Sequence, residues 1–269
     1  MLVDRAPRRR IFILSGISAA VTIATTVGTL LNTHVYDGAL PPTLLIGTLG
    51  FDVMSLLVAL ALGGVIVALA QRRERYWLLW LGLQAYLLYA YSLYAFGLVF
   101  TPLYLAYLAI MGLSAYSLAG FALNFDSRTL KEWTAHRMPR RTMGVSLFAV
   151  VAVFGILWIL TVFGFLGDDL PAGAAIVLVL DLAFTLPLLA VVAVLLLKRE
   201  PLGDLLAPGV FGMAAAITLG VAVGEFLRPA FGEQFSLAFS APYLVPGIAC
   251  AGFSLLAFRR VSSGLTGRG

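Results

Sequence analysis

Long apolar blocks alternate with short polar connections along the whole chain. Each block holds about 20 residues or more, which at about 1.5 Å of rise per residue crosses a hydrocarbon layer of roughly 30 Å. This pattern predicts an all-α fold, a polytopic transmembrane helix bundle with eight spans. The blocks cover residues 11–31, 44–70, 76–99, 102–124, 142–166, 172–197, 205–227 and 236–258.

The composition agrees with lipid as the main solvent. Of the 269 residues, 61% are hydrophobic and 12% are charged, whereas about a quarter of a soluble protein is charged. The net charge of +5 is spread over short basic clusters between the blocks, so we expect the lipid bilayer as partner and no nucleic acid.

These basic clusters also predict an orientation. With the N-terminus in the cytoplasm, every one of the 18 lysines and arginines except Arg228 falls on the cytoplasmic side, as the positive-inside rule requires. We therefore expect a plasma-membrane protein with both termini cytoplasmic.

The second four spans resemble the first four. Residues 37–41, a span with Asp52 and the pair 72–73 correspond to residues 168–171, a span with Asp181 and the pair 198–199. Because four is an even number, the copies would share one orientation, as a parallel pseudo-repeat. Alternatively, any two spans that run in the same direction look alike.

This reading divides the chain into a first half at 1–124, a loop at 125–141, a second half at 142–258 and a cytoplasmic tail at 259–269. In the loop, Thr129 and Glu132 form a capping-box pattern before Trp133, which predicts a short helix at the membrane interface.

Ionisable residues inside the spans are the strongest candidates for a site, because burying a charge in lipid is costly unless the residue is paired or lines a cavity. Asp52, Asp181 and Glu225 all lie in the half of the membrane away from the cytoplasm. Ser55 shares a helix face with Asp52, and Thr185 follows Asp181 by one turn. We predict a binding site from these residues.

Gln84 and Tyr91 on the third span add polar groups to the predicted site. Each candidate also has a structural explanation. The two aspartates and the third span can make ordinary hydrogen bonds between helices, and Glu225 can form an ion pair with Arg228 one turn away.

Several chemistries are excluded by missing residues. No span contains lysine or histidine, which removes a retinal Schiff base and bis-histidine haem ligation. The chain has a single cysteine, Cys250, and lacks HExxH, P-loop and GxSxG motifs. We predict no catalytic residue, metal site or cofactor.

The run Leu-Trp-Leu-Gly-Leu-Gln-Ala-Tyr-Leu-Leu-Tyr at 79–89 and the run Asp-Leu-Ala-Phe-Thr-Leu-Pro at 181–187 resemble multi-pass membrane proteins of bacteria that have no assigned activity. The resemblance implies a membrane protein and supplies no catalytic residues.

The leading hypothesis is a transporter of a small solute or ion, in which Asp52 and Asp181 bind a cation or proton. One alternative is a non-catalytic sensor or assembly module, and another is an enzyme acting on a lipid or quinone through tyrosines and carboxylates. The protein acts either alone or as a homo-oligomer, and the absent motifs favour a protein that is not an enzyme.

Overall fold

The computed structural model describes residues 2–126, 138–170 and 173–265, with side chains up to residue 260. These ranges contain eight long helices and no β-strand, which confirms the predicted all-α class. The helices are α1 (Arg5–Leu31), α2 (Pro42–Ala70), α3 (Trp77–Phe96), α4 (Tyr104–Asn124), α5 (Arg140–Gly164), α6 (Ala174–Leu197), α7 (Pro201–Leu227) and α8 (Leu237–Leu265).

Seven of these helices are long and apolar enough to cross a membrane, and α3 is the eighth helix at a predicted span. Helix α3 is less apolar because it is rich in tryptophan and tyrosine, and most of its side chains are buried. The membrane character predicted from the apolar blocks is thereby confirmed, while orientation, plasma-membrane location and the internal repeat stay predictions.

The distribution of polar and apolar side chains in α1 is the reverse of that in a soluble helix. Its buried face carries mainly serine and threonine, whereas Ile13, Ile17 and Leu31 are exposed. Such a helix is stable where its outer surface meets lipid and its hydroxyls meet other helices.

The first four helices pack as a closed ring, in which each helix contacts the next and α4 returns to α1. An isolated β-bridge between Val3 and Phe125 also ties the start of the chain to the end of α4. We call this group of four helices the first ring. Helix α7 packs against its α2 and α3 sides and also contacts α6 and α8.

Glycines allow the close packing of α7 on the first ring. A Cβ atom added to Gly82 in α3 would overlap the backbone of Gly209 in α7, and one added to Gly50 in α2 would overlap the backbone around Gly224. Small residues at such crossings let helix backbones approach closely, as they do in many membrane proteins.

Ion pairs lie where the odd-numbered helices begin, and we call this side of the bundle the basic end. Arg8 of α1 pairs with Glu74 and donates to the Leu69 carbonyl at the end of α2. Arg140 of α5 makes a forked pair with Asp204 of α7, which is fully buried.

Most predicted boundaries differ from the observed ones by a few residues, and the largest shift of a helix start is at α1, which begins at Arg5 instead of 11. Helix α7 begins at Pro201 instead of 205, since proline suits the first turn of a helix. Helix α8 continues to Leu265, so the predicted tail at 259–269 begins inside a helix. The short helix predicted in the 125–141 loop falls mainly on 127–137, outside the described residues.

Candidate functional site

A cavity of about 770 Å³ lies among α2, α3, α5, α6, α7 and α8, in the half of the bundle away from the basic end. Most of its lining is apolar, and Asp181 and Glu225 are the carboxylates among its lining residues. A largely apolar cavity with a few polar groups is the usual form of a small-molecule site.

Asp181 stands at an irregular turn of α6. Residues Asp181–Thr185 form a π-helical turn, closed by a bond from the Leu186 amide to the Asp181 carbonyl five residues earlier. Pro187 contributes to this irregularity because it has no amide proton to continue the regular ladder. Such single π turns often occur at functional sites.

Two aromatic side chains from neighbouring helices donate hydrogen bonds to the Asp181 carboxylate. The Tyr89 hydroxyl of α3 donates to Oδ1 at 2.9 Å, and the Trp158 indole of α5 donates to Oδ2 at 2.9 Å. A carboxylate can accept about four hydrogen bonds, so acceptor positions remain for a ligand. The side chain lines the cavity although the residue is only 8% exposed.

Asp52 occupies a separate and more enclosed position. Its Oδ2 accepts bonds of 2.7 Å from Thr29 of α1 and from Tyr36 in the following connection, and its Oδ1 accepts a bond of 2.8 Å from Tyr94 of α3. Asp52 is 2% exposed and is not part of the cavity lining. The two aspartates therefore do not share one site.

Tyr94 connects these two positions. Its hydroxyl, which bonds Asp52, also lies 3.2 Å from the Thr48 carbonyl of α2. Tyr94 and Thr48 both line the cavity. A change at Asp52 can thus reach the cavity through one side chain.

Glu225 lies at the cavity next to the connection between α7 and α8. It pairs with Arg228, which also pairs with Glu233. The Oε2 atom of Glu225 is buried and has no hydrogen-bond partner among the described residues. The ion pair with Arg228 expected from the sequence is present, and one carboxylate oxygen of Glu225 remains for a ligand.

The structure separates the seven predicted site residues into two groups. Asp181, Thr185 and Glu225 line the cavity. The others are outside its lining, in or beside the first ring: Asp52, Ser55, Gln84 and Tyr91. Ser55 lies 3.3 Å from the Tyr86 hydroxyl, whereas neither amide atom of Gln84 has a hydrogen-bond partner within the described chain.

Sequence reasoning missed Trp158, Tyr36 and Asp204. Trp158 lies in α5, the helix with the smallest buried share among the seven candidate spans, where nothing in the apolar pattern marks a donor. Asp204 could have been found from the sequence, because a helix that starts at Pro201 places this aspartate inside the first turn.

The described residues include no group of three histidine, cysteine, aspartate or glutamate side chains that could hold a metal ion. The arrangement instead offers two carboxylates with unused acceptor positions at the cavity, Asp181 and Glu225, together with the enclosed carboxylate of Asp52 and several hydroxyls. No protein-family model, curated protein or solved structure matches this chain, so its function has to be argued from the site itself.

Proposed function

We propose that this protein is a small membrane transporter whose cavity takes a cationic or protonated solute, with Asp181 as the group that recognises its positive charge. The observation that carries the proposal is the position of this carboxylate, held from behind by two donors and facing an apolar cavity of about 770 Å³. A buried carboxylate in such surroundings is stabilised by a cation that enters beside it.

Asp52 supplies the second part of the proposal, a proton-binding group behind the cavity. Three hydroxyl groups donate to it, an arrangement that suits the ionised carboxylate. A proton that binds Oδ1 makes this oxygen a donor, and the Tyr94 hydroxyl beside it can then accept instead of donating. Tyr94 is the donor that also lines the cavity, and this reversal would couple the proton to the solute site.

Proton flux in proteoliposomes tests this function. An imposed membrane potential should drive protons across vesicles with the wild-type protein, and a trapped pH-sensitive dye records the flux. We expect Asp181→Asn and Asp52→Asn to abolish it. Asp169→Asn, an identical charge change at an exposed residue, is the matched control and should retain it.

Equal amounts of folded protein are needed in each vesicle preparation, measured by circular dichroism and gel filtration. Wild-type flux in folded Asp181→Asn protein would contradict the proposal. Flux lost in all three variants, including the exposed control, would also count against a specific role for the buried carboxylates.

A second candidate is a protein that binds or modifies a lipid or quinone, and the position of the cavity favours it. Phe154 of α5 and Phe239 of α8 line the cavity, and both helices carry many exposed apolar side chains, as a lipid-facing surface does. Mass spectrometry of the purified protein decides this point: a stoichiometric lipid or quinone that Phe239→Ala removes would favour the second candidate.

A further inference from the structure

The centre of the first ring is polar although it lies inside a lipid-embedded bundle. Helix α1 turns one face towards it, with hydroxyls repeating at intervals of three and four residues. Helices α3 and α4 add further polar side chains from other sides. We call this set the ring seam, and it comprises Ser15, Ser18, Thr22, Thr26 and Thr29 of α1, Ser114 and Ser117 of α4, and Trp80, Gln84 and Tyr91 of α3.

Hydrogen bonds across the seam fix how α1, α3 and α4 face each other. The Trp80 indole donates to Ser15 at 3.1 Å, and Ser15 also contacts Ser117. One turn further, Ser18 and Ser114 lie 3.2 Å apart. At the far end, Thr29 bonds Asp52.

The same register locates Gln84. Helices α1 and α3 meet at Ser15 with Trp80, and again at Asp52 through Thr29 and Tyr94. The sequence separation between the partners is the same at both places, so the two helices rise together. Gln84, one turn after Trp80, therefore lies level with the stretch between Ser18 and Thr22.

Gln84 is the unusual member of the seam. Its side chain is fully buried, and neither its Nε2 nor its Oε1 atom has a partner within the described residues. An amide offers two donors and an acceptor, and leaving all of them empty away from water is costly. Buried polar groups in this situation usually bind internal water.

Thr22 and Thr26 of the seam have hydroxyl oxygens that can still accept hydrogen bonds. The Thr22 hydroxyl donates to the Ser18 carbonyl, and the Thr26 hydroxyl donates to the Thr22 carbonyl. Their only protons are thus used within α1 while the hydroxyl oxygens can still accept. Thr22 and Thr26 therefore have unused acceptor positions on α1, at about the level of Gln84.

The two ends of the seam differ in the side chains that they meet. Towards the basic end it meets a cluster of aromatic rings, with Phe12, Trp77 and Phe121 packed at centroid distances of 5.2 to 5.7 Å. At the other end it reaches Asp52 and Tyr36, which belongs to a connection between helices. The aromatic cluster closes one end, and the other end leads to a carboxylate.

We propose that the first ring encloses a site for internal water molecules, anchored by Gln84, which continues as a hydrogen-bonded file towards Asp52. The ligand class is water, and protons can pass along such a file by exchange between neighbouring molecules. This inference rests on the ring alone and does not require the solute cavity or any transport activity.

Radiolytic footprinting of the full-length protein tests it, because hydroxyl radicals formed from bound water label the side chains beside it. Tyr91 and Trp77 are both almost fully buried, and indole is intrinsically the more reactive ring. We expect Tyr91 to be labelled faster than Trp77 in the wild-type protein. Faster labelling of Trp77 would overturn the proposal, and this comparison needs no variant.

Gln84→Met removes the hydrogen-bonding groups at similar size. We expect Tyr91 labelling to fall several-fold in this variant, and to remain at the wild-type rate in Leu78→Met, a control at another buried position of α3. Unchanged labelling in Gln84→Met would show that water is not anchored there. These readouts do not depend on proton flux, so they can fail or succeed independently of the proposed function.

Discussion

The pair formed by Arg140 and Asp204 offers the sharpest test of the packing between α5 and α7. Asp204 is fully buried and accepts from the Arg140 guanidinium on both oxygens. Changing Arg140 to methionine takes away this cation and leaves the buried carboxylate without its charged partner. We expect a loss of stability and little change in the helices themselves.

The expected loss follows from the burial of the two partners. Breaking a fully buried ion pair costs about 3–5 kcal/mol because the remaining charge is uncompensated. The Arg140 side chain is 27% exposed, so water reaches one side of the pair. We therefore expect the lower end, about 3 kcal/mol, which is a factor of roughly one hundred in the unfolding equilibrium.

Unfolding in mixed micelles with increasing denaturing detergent, followed by tryptophan fluorescence, measures this change. The double variant with Arg140→Met and Asp204→Leu should recover most of the stability, since neither charge remains. Equal losses in the single and the double variant would refute the reasoning, because an uncompensated carboxylate could not then be the cause.

Two further predictions use the same unfolding assay. Gly82→Ala should lower the free energy of unfolding by about 1–3 kcal/mol because the added Cβ overlaps backbone atoms of α7. Gly112→Ala, where the space is open, should change it little, and equal effects would contradict the close crossing. Tyr94→Phe should lower the free energy of unfolding by about 1 kcal/mol because the bond to Asp52 is lost. Tyr116→Phe, with a 72% exposed side chain, should leave it unchanged. A Tyr94→Phe protein as stable as the wild type would rule out this contribution.

The helices were predictable because lipid imposes the same two requirements on every span. Backbone groups must bond within the segment and side chains must be mostly apolar, so a count of apolar blocks is enough to place α2 or α6 within a few residues. The free-energy cost of burying a charged group in lipid explains why Asp52 and Asp181 could be recognised as candidate site residues.

The sequence did not predict which of these two aspartates lines the cavity and which is enclosed. Both lie on apolar helices with similar surroundings, and only the rotation of each helix about its axis decides which carboxylate lines the cavity. The π turn at Asp181 changes that rotation locally. Trp158 illustrates the same limit, since a donor on a mostly exposed helix has no periodic signal.

The closed first ring has a consequence for the order in which the protein is made. Every contact that closes it, including the bridge from Val3 to Phe125, lies within the first 126 residues of the chain. A ribosome has therefore delivered all parts of this ring before α5 leaves the exit tunnel. Helices α5 to α8 contact one another in chain order, and α7 packs on α2 and α3. The first ring can therefore be complete before the later helices pack on it.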